Sequence, residues 1–140
     1  LDNFDSLVSV PTGGLIIGSA LAIETVKPLI YVRDKPKDYG TTKSIEGKIS
    51  SGMKVVLIDD VITTGNSVIN GIKQLKDAGL SISDVYVIIN RLEGASNALK
   101  LEEVNLYQLT DVLEITKILF QEKLVSKEIL DKINNQISQN

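Results

Sequence analysis

The sequence predicts an α/β fold with a mostly parallel central sheet flanked by helices, and three observations carry that reading. Short apolar runs alternate along the chain with segments of helical periodicity, the pattern of consecutive β–α units. Residues 55–58 are continuously apolar and bounded by turn residues, as expected of a strand buried on both faces of a parallel sheet. Two such runs lead into small-residue turns that open helices, at 11–14 and 63–67. Ligands then belong at the C-terminal ends of the strands. At 140 residues the chain is one domain by length, 1–140, with no linker or internal repeat to divide it.

Composition narrows the function. A hydrophobic content of 43% with a net charge of −3 describes an ordinary globular protein, not a disordered one. No apolar run approaches the roughly 18 residues that cross a bilayer, and the opening residues lack the basic region and apolar core of a signal peptide. Zero cysteines exclude disulfides and thiolate metal sites and fit a cytoplasmic protein. Zero histidines remove the usual zinc sites and every Ser-His-Asp mechanism. Mild acidity argues against broad nucleic-acid binding, so the expected partners are small molecules, with neither nucleic acid nor membrane.

Taken in order, residues 7–10 form the first strand and run into Pro11, Thr12, Gly13 and Gly14, ahead of an apolar helical segment at 15–26. The turn satisfies neither a P-loop, which needs Lys where Ser19 follows Gly18, nor the G-x-G-x-x-G dinucleotide fingerprint. Residues 28–32 form a second strand ending at Arg33. Residues 34–53 read as a long polar loop. From Arg33 to Lys54 there are six basic and three acidic residues, a cationic segment in an acidic chain and hence a candidate lid over an anionic substrate.

The strand at 55–58 ends at Asp59 and Asp60, followed by Thr63, Thr64, Gly65, Asn66 and Ser67. A helix begins there, with Val68, Ile69, Ile72, Leu75 and Ala78 at helical spacing and Gly79 placed to close it. First-turn N–H groups without intrahelical partners make such a helix start an anion site. Carboxylates directly before a phosphate site repel it unless the ligand also carries hydroxyls, which carboxylates accept well. A phosphorylated ribose meets both conditions.

Residues 85–89 form the next strand and lead into Asn90, Arg91, Leu92 and Glu93; a planar guanidinium such as Arg91 suits a carboxylate ligand. A short helix at 97–103 and a last strand at 104–109 follow. Two helices close the chain. The first has a stripe of Val112, Leu113, Ile115, Ile118 and Leu119, and the second, after Ser126, turns Ile129, Leu130, Ile133 and Ile137 inward.

Residues 55–67, VVLIDDVITTGNS, closely resemble the phosphoribosyl-diphosphate (PRPP) motif of the type I phosphoribosyltransferases, and the spelling D-D-V-I-T-T-G is most similar to that of the orotate phosphoribosyltransferases. The resemblance implies that family's fold with a long flexible catalytic loop. It implies transfer of ribose 5-phosphate from PRPP to orotate, giving orotidine 5′-monophosphate and pyrophosphate in pyrimidine biosynthesis. PRPP would be bound by Arg33, Lys37, Tyr39, Asp59, Asp60, Val61, Ile62, Thr63, Thr64, Gly65, Asn66 and Ser67. Thr12, Gly13 and Gly14 would form the pyrophosphate loop, and Thr63 and Arg91 would meet orotate. Arg33, Lys37, Asp59 and Asp60 would be the catalytic residues. Mg²⁺ would arrive mainly on the substrate, without dedicated protein ligands, and a cytoplasmic homodimer would be the working unit.

Two departures stand out. Asp34 occupies the place of a second basic residue after Arg33, with Lys35 one position later, and Asn90 stands where the resemblance implies an Asp before Arg91. The resemblance further implies several dozen residues ahead of the first strand that hood the base; a sequence opening at Leu1 is expected to lack that hood. Alternatives are a transferase for a purine base, a PRPP-sensing regulator without transferase activity, and a receiver-like phosphoacceptor that would leave the T-T-G-N-S turn without a role.

Overall fold

The computed structural model describes residues 3–33 and 44–138. In chain order its elements are β1 Ser6–Ser9, α1 Gly13–Thr25, β2 Leu29–Val32, β3 Ile45–Glu46, β4 Lys54–Ile62, α2 Asn66–Asp77, β5 Ser81–Asn90, α3 Ala95–Leu101, β6 Asn105–Asp111, α4 Val112–Gln121 and α5 Lys127–Ile137. Among the described residues the strands form one six-stranded sheet in the order β3-β2-β1-β4-β5-β6. Neighbours are parallel except β2 against β3. The α/β reading of the sequence therefore holds. From β1 the chain moves to β2 on one side and returns to β4 on the other. The carboxyl ends of β1 and β4 thus flank a topological switch point, where open α/β sheets bind ligands.

Strand β4 is apolar on both faces because both are covered. Val55 and Leu57 join the larger core with Ile30, Val85, Ile72, Leu75 and Leu99, bringing α2 and α3 against the sheet. Val56 and Ile58 join Phe4 and Leu7 on the opposite face, where Ile17 and Ala22 of α1 pack. Helix α1 meets the sheet through its glycines: Gly14 and Gly18 are its buried residues, while Ile16 and Ile23 stand 72% and 81% exposed. Helix α2 stops as its sequence specifies. Gly79 has φ +81°, its N–H donates to the Lys76 carbonyl at 2.9 Å, and the Leu80 N–H donates to the Leu75 carbonyl at 3.0 Å, a Schellman closure.

The structure corrects several expectations. Strand β4 does not stop at Ile58 but continues through Asp59 and Asp60 to Ile62, pairing with β5 as far as Ile62↔Asn90. Backbone pairing tolerates carboxylates at a strand mouth, where they reach solvent. The stretch read as loop contains β3, pairing Tyr31↔Glu46 and Val32↔Ile45 with β2. Two residues are too short to carry a periodic signal. In α4 the buried residue is Thr116, whose hydroxyl donates to the Val112 carbonyl at 2.6 Å; Ile118 is 52% exposed. In α5 no residue is fully buried and Ile129 is 45% exposed. These two helices pack on each other, and α4 on β6, so each apolar stripe has only partial cover.

Candidate active site

Three segments meet at the switch point. Strand β1 delivers the turn Pro11–Thr12, whose connecting peptide is cis, and this turn opens α1. Strand β4 delivers Asp59 and Asp60, and the turn after β4 delivers α2. Val10, Pro11 and Thr12 line one cavity of about 230 Å³ together with Asp59, Asp60 and the run from Val61 to Val68. The sequence-designated residues Thr12, Asp59, Asp60, Val61, Ile62, Thr63, Thr64, Gly65, Asn66 and Ser67 therefore share one space.

Gly13 and Gly14 explain how α1 comes so near the acid pair. A Cβ on Gly13 would collide with the Asp60 carboxylate, and one on Gly14 would lie 2.7 Å from Asp59 Oδ1 and 2.8 Å from the Ile58 carbonyl oxygen. Any side chain here would displace the carboxylates. Asp59 Oδ1 also accepts the Asp60 N–H at 2.9 Å, which orients it locally.

Helix α2 begins with its donors open. Its N-cap is Gly65, at φ +84°, without a side-chain cap and with no acidic residue in the first turn. By contrast, α4 and α5 are capped by Asp111 and Ser126. Uncapped N–H groups and the positive end of the helix dipole face the cavity beside the hydroxyls of Thr63, Thr64 and Ser67, a combination that binds phosphate. The site thus has an anion-binding half and a carboxylate half a few residues apart.

Arg91 lies in a neighbouring cavity of about 510 Å³, lined also by Thr64, Glu93, Val112, Ile133 and Ile137. Thr64 borders both cavities, whereas Thr63 borders only the first, apart from Arg91. Arg91 Nη2 pairs with Glu93 at 2.7 Å. Arg33 turns toward β3: its Nη2 donates to Glu46 at 2.9 Å and to the Tyr31 hydroxyl at 3.0 Å. It lines neither cavity. Lys37 and Tyr39, with Asp34 and the rest of 34–43 from the loop expected over 34–53, lie outside the described residues.

Sequence reasoning did not foresee the ion-pair partners Glu46 and Glu93, nor the burial of Asn90. Glu93 was within sight, since a carboxylate two residues from a lone Arg at a strand end is its nearest counter-charge. Glu46 needed the β2–β3 pairing.

A phosphoribosyl transferase domain profile matches residues 2–112. The chain belongs to the phosphoribosyltransferase family. An orotate phosphoribosyltransferase of Cenarchaeum symbiosum is 42% identical over 136 residues, which are 97% of this chain and 68% of that protein. The orotate phosphoribosyltransferase of Pyrococcus furiosus is 43% identical over 112 residues, 80% of this chain and 62% of that protein. The crystal structure of orotate phosphoribosyltransferase from Aeropyrum pernix superposes with a TM-score of 0.76 at 33% identity, covering 89% of this chain and 68% of the other. The chain thus spans roughly two thirds of these relatives, within the orotate branch of the phosphoribosyltransferases.

Proposed function

We propose that this chain is the phosphoribosyltransferase domain, 1–140, of an orotate phosphoribosyltransferase, transferring ribose 5-phosphate from PRPP to orotate with release of pyrophosphate. The observation that carries the reading is the meeting at one switch point of the Asp59–Asp60 pair, the uncapped start of α2 and the Gly13–Gly14 approach. In the reaction the C1–O bond of PRPP breaks with its electron pair leaving on pyrophosphate, and a ring nitrogen of orotate bonds to C1 as its N–H proton passes to the departing pyrophosphate. Positive charge gathers on the ribose ring and negative charge on the leaving group.

Asp59 and Asp60 hold the ribose 2- and 3-hydroxyls and lie by the developing cation. The α2 N–H groups, with Thr63, Thr64 and Ser67, hold the 5-phosphate, while Val61, Ile62, Gly65 and Asn66 shape its cradle. Thr12, Gly13 and Gly14 receive the pyrophosphate. Lys37 and Tyr39 contact it, and Arg33, paired with Glu46 and outside the cavity, must leave that pair to add its charge; oriented charges of this kind each supply a few kcal/mol. Arg91 meets the orotate carboxylate, with Thr63 on the ribose side of the base.

Phosphoribosyltransferases use Mg²⁺ with PRPP. The donor set here fits that use: the hard carboxylate oxygens of Asp59 and Asp60 share the cavity with the phosphate-binding turn, a setting that suits a cation shared with substrate oxygens. Mg²⁺ supplies charge neutralisation of the leaving group; positioning belongs to the chain. A cytoplasmic homodimer completes the reading; the apolar outer face of α1, with Ile16 and Ile23 exposed and Val26 exposed at its C-cap, supports the homodimer. Among the described residues no helix is long and apolar enough to cross a membrane.

Incubation with PRPP, Mg²⁺ and orotate, adenine or hypoxanthine tests the assignment. Orotate alone is consumed, and Arg91→Ala raises the orotate KM at least about ten-fold, the scale of a lost charged hydrogen-bond partner. Consumption of a purine instead would overturn the choice of base. PRPP binding without any turnover would point to a sensing regulator.

A further inference from the structure

We propose that Asn90, Gln108 and Asp111 form a one-way hydrogen-bond relay that positions Arg91, and that the direction of the relay requires an amide at residue 90. The proposal rests on the orotate reading of Arg91. Asn90 is 1% exposed. Its Nδ2 donates to Gln108 Oε1 at 2.7 Å and makes a longer contact of 3.5 Å to Ser96 Oγ. Its Oδ1 accepts the Leu92 N–H at 2.8 Å. Gln108 Nε2 donates to Asp111 Oδ2 at 3.0 Å, and Asp111 Oδ1 accepts the Glu114 N–H at 2.9 Å, capping α4.

The direction is fixed from the Asp111 end. An ionised carboxylate only accepts, so Gln108 must turn its amide nitrogen to Asp111 and its oxygen to residue 90. Residue 90 must then donate. Asn does so; the Asp that the resemblance implies here would set acceptor against acceptor. The departure at Asn90 is thereby matched to Gln108 and Asp111.

The relay holds two walls of the second cavity together. Arg91 is fixed on both sides: its N–H donates to the Ile62 carbonyl at 2.9 Å, and the following N–H is held by Asn90 Oδ1 as Leu92 takes φ +59°. Asp111 fixes the start of α4, where Val112 lines the same cavity as Arg91. Breaking the relay frees Arg91 relative to Val112 and leaves the PRPP cavity untouched.

The test is a double-mutant cycle in the full chain with Asn90→Asp, Asp111→Asn and both together. Asn caps a helix about as well as Asp, so the double variant reverses the relay: the new amide donates to Gln108, and Gln108 donates to the new carboxylate. Each single variant is expected to lower the urea midpoint and raise the orotate KM about ten-fold, given how steeply rate falls with misplacement. The PRPP KM stays within about two-fold, because no relay residue lines the PRPP cavity. The double variant recovers both the midpoint and the orotate KM. Additive losses in the double variant would overturn the relay. Coupling in urea with an unmoved orotate KM would reduce it to a structural role and overturn the positioning claim. If the unmutated chain consumes no orotate, coupling in urea upholds the relay while the substrate reading falls.

Discussion

Arg91 is poised but occupied. Its pairing with Glu93 at 2.7 Å, with the two side chains 54% and 34% exposed, belongs to the class of surface ion pairs that contribute about 0–1 kcal/mol. An incoming carboxylate must displace Glu93. Glu93→Gln is therefore expected to lower the orotate KM by up to about five-fold without changing the PRPP KM, measured by steady-state kinetics. Gly13 makes the opposite case. Gly13→Ala drives a methyl into the Asp60 carboxylate, which must swing away. Turnover is expected to fall about 100-fold while the urea midpoint hardly moves, because the clash falls on a side chain at the strand mouth. The meeting of side chains at this scale was legible where residue type dictates it, as in Asp59, Asp60 and the hydroxyl turn, which line one cavity. Burial of Asn90 was not legible, since its partner Gln108, which in turn donates to Asp111, comes from another strand.

The elements show where periodicity succeeds and where it stops. Helix α2 was readable from its stripe and its closing glycine. Gly79→Ala must place a side chain at φ +81° with Ser51 Oγ 3.1 Å away, and a loss of about 1 kcal/mol in urea denaturation is expected. Helix α1 was readable as helix but not in orientation, because its apolar residues surround it. Its packing face is set by small residues: a Cβ at Gly18 would collide with Ser9 Oγ, a buried hydroxyl with no hydrogen-bond partner among the described residues. Gly18→Ala is expected to cost about 1–3 kcal/mol by overpacking. Ser9→Ala in the same chain recovers most of it, since the clashing atom is gone. The outer faces of α4 and α5 misled the reading for the converse reason: apolar spacing says which residues could be covered, not whether anything covers them.

At the scale of the whole molecule, the strand order decides function. A single reversal between β1 and β4 brings together the turn after β1 and the turn after β4, which are about fifty residues apart in the chain. The alternating pattern foretold a parallel sheet but not its order. The family resemblance supplied what the pattern left open. One global property follows from Tyr86, which stacks on Tyr107 at 4.7 Å between ring centroids. Burial, then the nearby Asp84 carboxylate, then Tyr107 push its pKa above the ordinary value of 10.0. The unfolded chain therefore ionises this phenol first. Its contribution to stability is complete below pH 10 and is lost as pH rises through the folded value. Urea midpoints followed upward from pH 9 should fall above pH 10, and Tyr86→Phe should flatten that decline.

The most direct measurement is the ultraviolet loss of orotate on mixing the chain with PRPP and Mg²⁺, run beside Asp59→Asn/Asp60→Asn. Turnover in the unmutated chain and a loss of at least about 100-fold in the double variant, with its urea midpoint preserved, is the expected result. Equal turnover in both chains would contradict the assignment of the reaction to the mouth of β4.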